Sequence, residues 1–205
     1  MIFDGGPAGR PLPGACPGGG RPAALAARLA GLAPSVGGVR LVGIDGHAGS
    51  GKSTLARALA AELPGTPVLH LDDLASHEAF FDWTDVFLTR VVAPLARGEV
   101  AHYPVYDWTR RAFTASATLP PAPVVLVEGV GAGRRAVRPR LALLIWLDVA
   151  PEVAWRRGRR RDGPAQAGFW DAWERAELHH FADDPSRPFA DILMTSGGDS
   201  HHACE

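Results

Sequence analysis

Cysteine is nearly absent. Among 205 residues only Cys16 and Cys204 occur, near opposite ends, so no disulfide framework holds the chain. Long apolar runs are also missing: nothing approaches the roughly 20 residues that a membrane-spanning helix requires. The nearest stretch, Ala23 to Ala33, is interrupted by arginine and preceded by a Gly/Pro-rich segment, which argues against a secretory leader. An excess of one charge is lacking as well. The formal net charge of −1 argues against a general binder of nucleic acid or of membrane surfaces. No internal repeat is evident. A cytoplasmic protein with neither a nucleic-acid nor a membrane partner is expected. Its oligomeric state stays open, a homo-oligomer included.

What is present describes a globular chain. Hydrophobic residues make up 46% and charged residues 21%, and the length suits one α/β domain with a sizeable core. The Gly/Pro-rich residues 1–22 are expected to form a flexible N-terminal arm, residues 23–195 a single domain, and residues 196–205 a polar tail. His201, His202, Cys204 and Glu205 in that tail are metal-ligand types, but they have no second half to complete a site.

The segment Gly46-His47-Ala48-Gly49-Ser50-Gly51-Lys52-Ser53 fits G-x-x-x-x-G-K-[ST], the phosphate-binding loop. Its context agrees. The apolar run Val39 to Ile44 before it reads as a buried strand, and Thr54 to Leu63 after it is built of strong helix formers. In such a loop the glycines let successive backbone N–H groups converge on phosphate oxygens, and the helix N-terminus adds a partial positive charge. Lys52 can reach the outer phosphates and the Ser53 hydroxyl can ligate Mg²⁺. Gly46 through Thr54 are thus the expected nucleotide site, with ATP and Mg²⁺ as cofactors. No Asn-Lys-x-Asp segment is present to read guanine, so GTP is the less favoured donor.

Further elements follow in order. Ala23 to Leu32 predicts a short helix. Pro67 to Leu71 predicts a second strand, with Asp72-Asp73 at its C-terminal end, where ligands bind in open α/β sheets. Thr84 to Arg97 predicts a helix that breaks or kinks at Pro94. The stretch Val100 to Leu119 suggests a small β insertion. Val124 to Val127 is a continuous apolar strand ending in Glu128, and Leu141 to Leu147 is another, followed by Asp148. Pro151 to Arg161 starts as a helix and turns strongly basic. Ala165 to Asp183 is a helix with Trp170 and Trp173 on one face, and Asp191 to Met194 is a last strand. Strands alternating with helices give a parallel sheet covered on both sides.

The phosphate loop alone leaves ATPase, GTPase and kinase open. Leu71-Asp72-Asp73, Pro104-Val105-Tyr106-Asp107-Trp108, Val127-Glu128-Gly129, Arg157 to Asp162 and Pro185 to Asp191 narrow the choice. Their order and approximate spacing resemble the uridine kinase/phosphoribulokinase family over roughly residues 39 to 194. The chain also looks like the actinobacterial-type relatives of that family, whose Trp-x-x-Trp helix carries Glu and His, here Trp170, Trp173, Glu177 and His180. The resemblance implies an α/β P-loop NTPase fold of the nucleoside/nucleotide-kinase type. That fold has three layers: a mostly parallel five-stranded sheet with helices on both faces, plus a small β insertion and an Arg-rich lid. Two departures stand out. Uridine kinases have Tyr-Asp-Phe-x-x-His, whose aromatic and His help to hold the pyrimidine; here the run is Tyr106-Asp107-Trp108-Thr109-Arg110-Arg111, with Arg111 where the His would stand. Their Asp-Ser-Phe-Tyr is here Asp72-Asp73-Leu74-Ala75. The phosphate chemistry is retained and the acceptor reader is altered.

Phosphoryl transfer needs positioning, a metal and charge neutralisation more than covalent chemistry. Lys52 is expected to neutralise the β- and γ-phosphates. Ser53 would bind Mg²⁺, with Glu128 and Asp72 completing the shell directly or through water. The resemblance implies Asp72 as the base for the acceptor hydroxyl; otherwise it would be a helix N-cap. Glu128 has the rival reading of a sheet-end carboxylate paired with a basic side chain. The run Arg156 to Arg161 reads as a solvated face or as a lid whose arginines close over the transferring phosphate, and the family match lines up best at Arg157 and Arg161. Tyr106, Trp108 and Arg111 are expected at the acceptor. So is Asp82 or Asp85, each of which could equally cap the helix near Thr84. Trp170 and Trp173 are expected in the core, and His179-His180 on a polar helix face. The leading expectation is a Mg-ATP-dependent kinase acting on a hydroxyl of a nucleoside or nucleoside-like molecule. The alternatives are a kinase for a sugar, vitamin precursor or specialised metabolite, and a nucleotide-binding NTPase or regulatory module without a small acceptor.

Overall fold

Short apolar segments cannot satisfy their backbone groups alone, so they pair. In the computed structural model, which describes residues 21–195, five of them form one sheet. In chain order the elements are α1 (Arg21–Ala30), β1 (Arg40–Asp45), α2 (Lys52–Glu62) and β2 (Val68–His70). Then come α3 (Thr84–Phe87), a π turn (Leu88–Val92), α4 (Ala93–Ala96), β3 (Ala101–Asp107) and β4 (Ala112–Leu119). The chain continues with β5 (Val124–Glu128), β6 (Leu143–Leu147), α5 (Pro151–Asp162), α6 (Ala167–Asp183) and β7 (Ile192–Met194). The sheet order is β2-β5-β1-β6-β7 and every pairing is parallel. The expected arm up to residue 20 and the tail from residue 196 lie outside the described residues. Arg21 and Pro22, expected in the arm, belong to α1.

Side chains alternate across a strand, so each strand feeds two cores. Leu41, Val125 and Val127 face one side of the sheet, where Phe87, Val91 and Leu95 of the α3–α4 segment pack on them. Val42, Ile44, Leu126 and Ile145 face the other, under Leu25 and Leu29 of α1 and Ala56 and Leu59 of α2. These are the three layers of the α/β P-loop fold. The break expected at Pro94 is instead a widened turn upstream: the Ala93 N–H donates to Leu88 O, five residues back. Proline has no N–H for the ordinary helical bond, and the π turn carries the helix past it.

The β insertion is an antiparallel hairpin, β3–β4, with a register shift between Val105 and Tyr106. At its tip the Asp107 carboxylate accepts from the Thr109 and Arg110 N–H groups at 2.9 and 2.8 Å, an Asx turn. No helix among the described residues is long and apolar enough to cross a membrane.

Candidate active site

The phosphate loop leaves the central strand β1 and enters α2 through residues in conformations that side chains resist. Gly49 has φ +84°, and a Cβ there would lie 2.1 Å from the Ala154 carbonyl of α5. Gly51 caps α2 at φ +102°. The first-turn N–H groups of α2 have no partner inside the helix and point out of its N-terminus. Lys52 is the only lysine in the chain. It is buried, and its Nζ donates to Gly46 O at 2.8 Å and His47 O at 3.0 Å, across the mouth of its own loop. The Ser50 hydroxyl is buried with no hydrogen-bond partner among the described residues. An orphaned donor in a ring of glycines and backbone N–H groups suits a phosphate oxygen.

Parallel register supplies the acidic side. It sets His70 of β2 beside Glu128 of β5, and Glu128 beside Ile44 of β1. His70 Nδ1 donates to Glu128 Oε1 at 2.5 Å, and the Ser53 hydroxyl donates to the same oxygen at 2.8 Å. Burial by itself would raise the Glu128 pKa. The His70 hydrogen bond and the Lys52 charge outweigh it and hold the carboxylate below its ordinary range. The His70 pKa is raised, chiefly by the same hydrogen bond. Asp72 follows in a short 3₁₀ turn after β2. It keeps contact with solvent through the cleft, yet the desolvating walls, and then the Glu128 charge, raise its pKa. Ser53 and Glu128 together offer hard oxygen donors at the edge of the phosphate loop, a set that fits Mg²⁺.

The sequence carried no signal for Asp45. Its buried carboxylate accepts from Gly46 N at 2.7 Å, Gly131 N at 2.9 Å and Gly133 N at 2.8 Å. It thereby ties the start of the phosphate loop to the loop after β5, although burial pushes its pKa up.

Beside the loop opens a cavity of about 640 Å³. Asp72, Trp108, Arg111 and Arg161 line it, from three separate parts of the chain, next to Ala48 of the phosphate loop. Trp108 Nε1 donates to Asp72 O at 3.1 Å, which locks the hairpin over the 3₁₀ turn. Arg111 adopts φ +56°, an uncommon conformation for a non-glycine residue, and lies 3.6 Å from exposed Glu78. Tyr106 is buried behind the wall, not in it, and its hydroxyl meets His77 Nδ1 at 3.0 Å. His77 itself lines the cavity, its ring 4.9 Å from that of Trp108. Burial, and then the Arg111 charge, lower its pKa. Sequence reasoning missed His77 because a single histidine in a loop carries no pattern. Trp170 and Trp173, expected in the core, are buried and also form one wall.

Asp82 is not brought to this cavity. It lines a second, more open depression with Asp85, Arg134 and Asp184, because the buried Trp83 ring anchors the chain there and turns its neighbours outward. The two basic residues singled out on α5 part company. Arg161 is in the cavity wall and pairs with Asp162 at 2.6 Å. Arg157 is exposed on α5, with no ion-pair partner among the described residues.

A phosphate loop after the central strand of a parallel sheet, with carboxylates past the neighbouring strands, defines a P-loop α/β protein. The family model described as AAA domain matches residues 42–175, and the chain belongs to that family. It is similar to the uridine kinase of Borrelia hermsii, 24% identical over 187 residues that cover 80% of this chain and 90% of that one. Among solved structures it is similar to a possible uridine kinase from Bacillus stearothermophilus, with TM-score 0.63 and 19% identity, covering 85% of this chain and 97% of that one. It is also similar to a candidate fructose transport system kinase from Silicibacter sp. TM1040, with TM-score 0.60 and 23% identity, covering 86% and 100%.

Proposed function

We propose that this protein transfers the γ-phosphate of Mg-ATP to a hydroxyl of a nucleoside or nucleoside-like small molecule. The observation that carries the reading is the single cavity in which Asp72 and Arg161 meet beside the phosphate loop. In it an acceptor hydroxyl can lie against a carboxylate while its other end rests among Trp108, His77 and Arg111. Lys52 and the N-terminus of α2 bind the phosphates. Ser53 and Glu128 would hold a metal ion, which would supply charge screening for the phosphates. Asp72, in the cavity wall beside the phosphate loop, takes the hydroxyl proton as the new bond forms. Arg161 approaches from α5, while Arg157, one turn earlier, stays outside the cavity. Similarity to uridine kinases supports the nucleoside class.

Arg111 favours a second reading of the acceptor. A guanidinium brings a permanent charge and a planar donor fork suited to carboxylate or phosphate. An acceptor with an anionic group therefore fits this cavity better than uridine or cytidine does. The deciding experiment is a screen of nucleosides, sugars and acidic and neutral alcohols with Mg-ATP, following phosphorylated product by mass spectrometry. A product is expected from at least one acidic alcohol, and Lys52→Ala should lower its formation at least ~10²-fold. ATP hydrolysis indifferent to every hydroxyl compound would leave an NTPase module. Efficient uridine phosphorylation would remove the acidic-acceptor reading.

A further inference from the structure

The phosphate loop is held at its front edge by a side chain that comes from far along the sequence. Glu177 of α6 is fully buried. Its Oε1 accepts from His47 Nδ1 at 2.6 Å and from Trp155 Nε1 of α5 at 3.0 Å. Its Oε2 accepts from the Ala48 backbone N–H at 3.1 Å and from Trp173 Nε1 at 2.7 Å. A carboxylate can only accept, so all four groups donate and the tautomer of His47 is set with its proton on Nδ1. Two of the four donors belong to the phosphate loop, and the other two to the helix that carries Arg161 and to the helix that closes the cavity.

Such a placement needs a reason. A buried carboxylate beside a cradle for phosphates would by itself repel them and be costly to desolvate. Burial does push Glu177 up, but the His47 hydrogen bond and the Lys52 charge hold it below the ordinary glutamate range. The anion therefore stays ionised with its charge spent on fixed donors. The loop and α5 are in contact here as well, since Gly49 fits only because it has no Cβ to meet Ala154 O. The His47 ring packs edge-on against Trp155 and Phe181 at 5.9 and 5.2 Å, which holds the tie on both sides.

We infer that Glu177 is a positioning residue for nucleotide binding: its four hydrogen bonds hold the front of the phosphate loop in register with the arginine-bearing helix α5. It touches no phosphate itself. It orients Ala48, which stands where loop and acceptor cavity meet, and so sets the shape in which the loop receives the γ-phosphate. The inference rests on the kinase reading above.

The test is equilibrium binding of Mg-ATP to the full chain, which needs no knowledge of the acceptor, followed by tryptophan fluorescence. Glu177→Gln keeps the volume but turns one oxygen into a donor facing two N–H groups. It should stay folded at the binding temperature, with an unfolding midpoint close to wild type, and bind Mg-ATP at least about 10-fold more weakly. His47→Phe cuts the tie from the loop side while keeping the ring's packing, and it should weaken binding in the same direction. It decides the matter if Glu177→Gln does not fold. Wild-type affinity in a folded variant, or a loss that disappears once the unfolded fraction is subtracted, would overturn the inference. Failure of the kinase reading looks different: wild type would not bind Mg-ATP, or Lys52→Ala would bind it equally well.

Discussion

At the residue scale, the pair Asp72-Asp73 illustrates how adjacent carboxylates come to face different surroundings. Asp72 lines the cavity and Asp73 does not. A 3₁₀ turn sends neighbouring side chains about 120° apart, so only one of the two can face the phosphate loop. Asp72→Asn keeps size and shape but removes the proton acceptor. Binding of Mg-ATP should survive, while turnover with the identified acceptor falls roughly 10²–10⁴-fold. A rapid-quench measurement of product checks this, and an Asp73→Asn variant with the same loss would reassign the base. The pair as a site was legible in the sequence, since it follows an apolar strand. The resemblance singled out Asp72, and the 3₁₀ turn from Leu71 to Asp73 is what brings Asp72 and not Asp73 to the cavity.

At the scale of elements, the contact between α5 and α6 sets where the arginines stand. Gly158 lies inside α5 between Arg157 and Arg159, and a Cβ there would meet the Trp170 ring at 2.2 Å. Glycine in a helix costs about 1 kcal/mol relative to alanine, so Gly158→Ala would stabilise an isolated α5. Overpacking a close interface costs typically 1–3 kcal/mol, and a rigid indole offers little room to yield. The overpacking wins. Gly158→Ala should lower stability by about 1 kcal/mol net and displace Arg161, seen as a lower urea midpoint together with reduced turnover. A raised midpoint would show that the helices do not touch here. The sequence disclosed α5 by its apolar start and its arginines, and α6 by its tryptophans. It did not disclose that a glycine is the seat of one of those tryptophans.

For the molecule as a whole, stability in mild acid depends on a histidine kept neutral. His180 of α6, expected on a polar helix face, is instead buried: it stacks on Phe81, ring centroids 4.6 Å apart at 14°, and its Nε2 has no hydrogen-bond partner among the described residues. Burial, and then the Arg134 charge, lower its pKa to about 4 from an ordinary 6.5. The folded chain therefore refuses a proton that the unfolded chain accepts. Its contribution is fully present above pH 6.5 and is lost as pH falls from 6.5 toward 4. Between pH 7.5 and pH 5 the unfolding free energy should drop by about 2 kcal/mol from this group. Denaturant titrations of wild type and His180→Phe at both pH values isolate it, since the variant should lose that much less. Parallel losses in the two proteins would assign the acid sensitivity to other groups.

What the sequence alone determined is everything whose partners are close along the chain. The phosphate loop is eight consecutive residues between a strand and a helix, so its glycines, Lys52 and Ser53 can be read without knowing the fold. The strands announce themselves as apolar runs because a parallel sheet is covered on both faces. Glu128 was legible because it ends such a run, and the hairpin because its alternation is local. The tertiary structure decided the rest. His70 meets Glu128 across 58 residues through strand register, and His47 meets Glu177 across 130 through the docking of α6. His77 enters the cavity and Asp82 leaves it according to which way a loop turns around the buried Trp83. Register and helix docking are chosen by packing over the whole core, and a side chain far along the sequence carries no local mark of the partner that packing will bring to it.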